Sequence, residues 1–173
     1  MAPQKSLIII LSICLLSLST SATSTPKLAE EICKGFNNKD LCMRTLSSPA
    51  ALSAKDLTQL TSAVMKTAQS NAQATLNLIS DLAKKPCPPA NLKALQECEK
   101  VFRMAVNSFD IVSREVSEDA QTANYDVHLL APTANDCINA MKAANLQAPQ
   151  IETANLDLQL FSNMGFEMTS KMD

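Results

Sequence analysis

The sequence predicts an all-α protein, an up-down-up-down four-helix bundle with an N-terminal helical hairpin, held by two disulfides. Three observations carry this. Composition comes first: the chain has no Trp and only two Gly among 173 residues, and it is rich in Ala, Leu and Met, which favour helix over strand. The second is an apolar repeat at spacings of three and four. The third is the placement of the cysteines. Cys33 and Cys42 flank the turn residues Asn37–Asn38, and Cys98 and Cys137 lie nearly equidistant from the helix-breaking stretch Ser117–Glu118–Asp119. Residues equidistant from the turn of a helical hairpin lie side by side, so each pair can reach the roughly 5.5–6 Å Cα separation of a disulfide.

In chain order, residues 1–24 read as a secretory signal peptide: Lys5 in the n-region, an apolar run from Leu7 to Leu18, then small residues through Ser24. That run has 12 residues, short of the roughly 20 that span a bilayer. Cleavage after Ala22 or Ser24 fits the small-residue rule. No later segment is long and apolar enough to span, so no membrane association is expected after cleavage. Residues 25–173 then suit one domain with a real core.

This domain opens with a hairpin of Leu28–Cys33 and Lys39–Leu46, ended by Pro49. Ser53-Ala-Lys-Asp56 resembles a capping box. It precedes a long helix with the stripe Leu57, Leu60, Val64, Ala68, Ala72, Leu76, Ile79 and Ala83. Pro86-Cys87-Pro88-Pro89 interrupts that helix. The next has the seam Leu95, Cys98, Phe102, Ala105, Phe109, Val112 and Val116, the pattern of a helix facing a bundle core. A third runs from about Asp119 to Ala144, with a kink or local break expected at Pro132. After the loop at Gln147–Pro149, Glu152 to Met172 forms the last, with Leu158, Phe161, Met164 or Gly165, Met168 and Met172 inward. Short connections make successive helices antiparallel neighbours.

Composition also excludes functions. Without Lys5 the chain has 14 basic and 17 acidic residues, so no basic stripe exists for nucleic acid. His128 is the sole histidine; any Ser-His or Cys-His dyad would have to use it, and the simpler reading is a helix-surface side chain. Neither a nucleophile elbow nor a Gly-rich phosphate loop is visible. The cysteines lack the paired close spacing of a zinc site. No catalytic residue, cofactor or metal is therefore expected. The carboxylate pairs Glu30–Glu31, Glu97 with Glu99, and Glu118–Asp119 read as solvated helix ends and faces. Met164, Met168 and Met172 read as core. No Asn-x-Ser/Thr sequon follows the leader, so no N-glycosylation is expected. Five cysteines follow the leader, an odd count. Cys87 is the one left over: its counterpart across residues 117–118 is Ala148, and Cys98 lies about 16 Å away along a helix. It is a free thiol or the link of a homodimer.

The segment Glu30-Glu-Ile-Cys33-Lys-Gly-Phe-Asn-Asn-Lys-Asp-Leu-Cys42-Met-Arg-Thr-Leu46 resembles the opening of the plant invertase and pectin methylesterase inhibitor family. Leu92-Lys-Ala-Leu95-Gln-Glu-Cys98-Glu-Lys-Val-Phe102 resembles its third-cysteine motif, and Ala134-Asn-Asp-Cys137-Ile-Asn-Ala-Met141 its fourth. The resemblance implies disulfides Cys33–Cys42 and Cys98–Cys137. It further implies a non-enzymatic inhibitor that occludes the active-site cleft of a cell-wall pectin methylesterase or an acid invertase in a 1:1 complex, secreted to the apoplast. Two departures stand out. Val127-His-Leu-Leu-Ala-Pro132-Thr-Ala replaces the family's Ser/Ala run. A Pro-Lys-Phe tripeptide of some invertase-inhibiting members is absent, with Ala120-Gln-Thr122 nearby, which favours pectin methylesterase. A non-inhibitory small-ligand-binding bundle and a structural or signalling bundle are the alternatives.

Overall fold

The computed structural model describes residues 25–172; the expected leader lies outside them. Helices α1 (Thr25–Cys33) and α2 (Lys39–Leu46) form the hairpin. Asn38 is more than a turn residue: its Oδ1 accepts from Leu41 N at 3.1 Å and caps α2. Pro49 opens a further single turn, α3 (Pro49–Leu52), where the expectation was an end. Proline suits the first helical position because the N–H it lacks would be unpaired there. Ser48 caps that turn, accepting from Ala51 N at 3.3 Å.

Helix α4 (Leu57–Ala83) is capped by Asp56 rather than Ser53. Asp56 Oδ1 accepts from Gln59 N at 2.7 Å, and Gln59 Oε1 accepts from Lys55 N at 3.2 Å. Ser53 is occupied in closing α3, its hydroxyl donating to Ala50 O. The expected box is therefore displaced by three residues. Helix α5 (Pro89–Glu115) starts on another proline, and every member of its predicted seam is buried.

The expected third long helix is two: α6 (Ala120–His128) and α7 (Leu130–Ala143), with Leu129 between them. Pro132 has no N–H to give His128 O and its ring crowds that carbonyl. The break is repaired from across the bundle. Ser162 Oγ accepts from Ala131 N at 3.1 Å and donates to Val127 O at 2.6 Å, inserting a side chain into the helix ladder. Ser162 is fully buried. Its replacement by Ala strands a buried donor and acceptor, a cost of about 1–3 kcal/mol. Thermal melts of Ser162→Ala should show that loss; a change within about 0.5 kcal/mol, as for an ordinary surface site, would refute the bridging role.

Helix α7 ends in a Schellman motif. Asn145 takes φ of 51°, while Leu146 N donates to Met141 O and Asn145 N to Lys142 O. Helix α8 (Pro149–Thr169) begins earlier than expected, again on a proline. Met172 lies beyond its end and is half-buried, whereas Met164 and Met168 are core.

Helix α4 packs along α5, α5 along α6 and α7, these along α8, and α8 back along α4. Each neighbour in this closed ring follows its predecessor after a short connection, giving the up-down-up-down order. Phe102, Phe109, Phe161, Met65, Ile79 and Val112 fill the centre. Gly165 lets α8 approach closely: a Cβ there would stand 2.6 Å from Val127 Cγ2 and 3.0 Å from Met65. The hairpin folds back on α8 and α4, with Lys171 reaching Glu31 at 3.3 Å and Glu167 at 3.2 Å.

Candidate docking surface

The chemistry-bearing side chains do not converge. His128 is exposed at the end of α6, its ring 4.8 Å from that of Phe166. Among the described residues, no group of three or more His, Cys, Asp or Glu could hold a metal ion. Also among the described residues, no helix is long and apolar enough to cross a membrane. Glu97 and Glu99 pair with Lys100 and Arg103 on their own helix, and exposed pairs of this kind add little stability.

The cysteines make the molecule stiff. Cys33 is bonded to Cys42 with Cα atoms 5.7 Å apart, and Cys98 to Cys137 at 4.3 Å. The second bond ties α5 to α7. Asn155 on α8 donates to Cys137 Sγ at 3.1 Å and to Ile151 O at 2.9 Å, so the brace is also held against a third rod. Cys87 is unbonded and half-buried in the α4–α5 connection.

An exposed apolar strip lies on the braced side. Met104 and Ile111, seven residues apart, stand on one face of α5 outside its buried seam. Glu115, four residues past Ile111, shares that face and lies close enough to Asp126 of α6 for their charges to interact. Tyr125 adjoins Asp126, and Leu129 lies one turn beyond it. Met104 and Ile111 on α5 and Tyr125 and Leu129 at α6 are the strip's four apolar residues, each between 40% and 64% exposed. Apolar side chains grouped at a polar rim mark interaction surfaces. Sequence reasoning did not single out these four. The available signal was Met104 and Ile111 falling between seam positions on the most regular helix.

Carboxylates rim the strip at the α5–α6 junction. Burial pushes the Glu115 carboxyl above its usual range, helped by the like charges of Asp126, Asp119 and Glu118; its Oε2 is out of solvent and without a partner. Asp119 is held below the usual range, because Thr122 N, the Thr122 hydroxyl and Gln121 N all donate to it as it caps α6. The signs are opposite. Asp119 stabilises the fold once ionised and loses this as pH falls. Glu115 favours the fold while protonated and loses this as pH rises through its elevated folded value. Glu115→Gln should accordingly melt higher than the parent at about pH 7 and converge with it near about pH 4. A melting difference independent of pH would contradict the assignment.

The family model described as "Plant invertase/pectin methylesterase inhibitor" matches residues 27–171. No curated protein matches the chain. Several solved structures share its fold, two among them pectin methylesterase inhibitors. One is a mutant form of a pectin methylesterase inhibitor from Arabidopsis, 15% identical, with a TM-score of 0.72, covering 82% of this chain and 95% of the other. The second is a pectin methylesterase inhibitor from Arabidopsis thaliana, 14% identical, with a TM-score of 0.65, covering 85% and 97%. A helical bundle with two disulfides, matched along nearly all of its described length, places this chain in the plant invertase/pectin methylesterase inhibitor family, whose members are proteinaceous inhibitors and not enzymes.

Proposed function

We propose that this protein inhibits a plant cell-wall pectin methylesterase by laying the α5–α6 face across the enzyme's active-site cleft in a 1:1 complex. The observation that carries the reading is the family match over residues 27–171 joined to an apolar strip on the disulfide-braced side of the bundle. A surface already ordered loses little entropy on docking, so a stiff bundle can inhibit by occlusion alone. What supports the esterase over an acid invertase is the absence of Pro-Lys-Phe, where Ala120-Gln-Thr122 forms the first turn of α6, together with pectin methylesterase inhibitors as the structural neighbours. Residues 1–24 would direct the chain to the secretory pathway, and residues 25–173 would act in the apoplast.

The test is to add the purified mature chain to a pectin methylesterase and, separately, to an acid invertase. Esterase activity should fall to completion near equimolar inhibitor while the invertase rate holds. An unchanged esterase rate at large excess would overturn the proposal.

A further inference from the structure

Oxidisable sulfur is distributed unevenly in this fold. Seven of the chain's eight methionines lie in residues 25–173. Met65, Met141, Met164 and Met168 are core side chains, none more than 2% exposed. Met43 and Met172 are half-buried and pack against that core. Met104 alone among the described methionines is exposed, at 40%. It lies outside the buried seam of α5, on the flank that also carries Ile111. A thioether there is soft and adaptable, which suits a docking surface. It is also a two-electron reductant, and its oxidation turns an apolar side chain into a polar one. The core sulfurs are sheltered from a dissolved oxidant unless the packing opens. The fold therefore presents one methionine where oxidation changes the surface and leaves the core alone.

We propose that Met104 is a reversible oxidation site, at which a peroxide forms the methionine sulfoxide and thereby weakens docking of the enzyme. A lone pair on Met104 Sδ attacks one peroxide oxygen. The S–O bond forms as the O–O bond breaks, and the second oxygen takes up the proton and leaves as water. Sulfur loses two electrons and the peroxide gains them. A sulfoxide reductase with a dithiol reverses the change, returning the thioether, a disulfide and water. The new oxygen is a strong acceptor that is solvated in the free protein and stripped of water under a docked partner, where it weakens binding. This inference rests on the strip being the docking face, and it adds a means of regulating that same face.

The test uses hydrogen peroxide on the folded mature protein, in a Cys87→Ser background that removes the free thiol. Peptide mass mapping should show one oxygen gained at Met104 at peroxide doses that leave Met65, Met141, Met164 and Met168 unmodified. The inhibition constant against a pectin methylesterase should rise about tenfold in step, with the melting point unchanged. The pair of methionine sulfoxide reductases, one for each sulfoxide epimer, should restore both mass and inhibition. Met104→Leu, whatever its starting inhibition constant, should not respond to peroxide. Oxidation spread evenly over buried and exposed methionines would overturn the proposal. So would a fully oxidised Met104 with unchanged inhibition, or an equal peroxide response in Met104→Leu. An untreated chain that leaves the esterase rate unchanged overturns the docking reading, and this switch with it, before any peroxide is added.

Discussion

Replacing both Cys98 and Cys137 by Ala should cost the protein about 4 kcal/mol of stability. The bond joins residues separated by 39 in sequence, and closing such a loop restricts the unfolded chain by about that amount. In a domain of this size each kcal/mol moves the melting midpoint by about 2–4 °C, so a fall of about 8–16 °C is expected. Both cysteines are wholly buried, so the loss of packing acts in the same direction. The companion bond closes a separation of only 9 residues and is worth about 2.5 kcal/mol by the same relation. Its loop is the hairpin, which packs on α8 and α4 from outside the four-helix ring. Cys33→Ala with Cys42→Ala should therefore loosen α1 and α2 and leave the main transition nearly in place. Calorimetry on the two double variants measures both effects. Equal losses would contradict the view that the brace between α5 and α7 holds the bundle and the front clasp does not.

Ile111→Glu should weaken inhibition at least a hundredfold, about 2.7 kcal/mol, without changing the melting point. Ile111 stands 44% exposed at the centre of the strip, so a charge there meets water in the free protein. In the complex it would be desolvated without a partner. Met104→Glu should act in the same direction and less strongly, since Met104 lies about three turns from the junction. Leu156→Glu is the control. It is 64% exposed on α8, is equally apolar, and lies outside the strip, so its inhibition constant should match the parent's. Steady-state inhibition of a pectin methylesterase by the three variants separates a specific face from general hydrophobic adhesion.

Much of this architecture is legible in the residues themselves. The seam from Leu95 to Val116 repeats without interruption, and all its members are buried. The cysteine partners follow from hairpin symmetry, because equidistance from a turn is a local property that survives into the fold. What hid from the sequence was non-local. Pro132 announces a break, yet nothing near it shows that Ser162, thirty residues on, would fill the vacancy at Ala131. Pro49 read as an end, Pro89 as part of an interruption and Pro149 as part of a loop, yet each opens a helix, because a proline's missing N–H harms only a helix interior. The strip was obscured for a related reason. Periodicity marks which face of α5 is buried, but not which flank of the remainder adjoins α6.

The central claim is that the α5–α6 face is the part that meets the enzyme. Hydrogen exchange of the mature protein, free and saturated with a pectin methylesterase, tests it most directly. Added protection should concentrate in the outer turns around Met104, Ile111 and Tyr125 to Leu129, with the hairpin and the outer face of α8 unchanged. Protection centred instead on α1, α2 or the Leu156 side of α8 would contradict it.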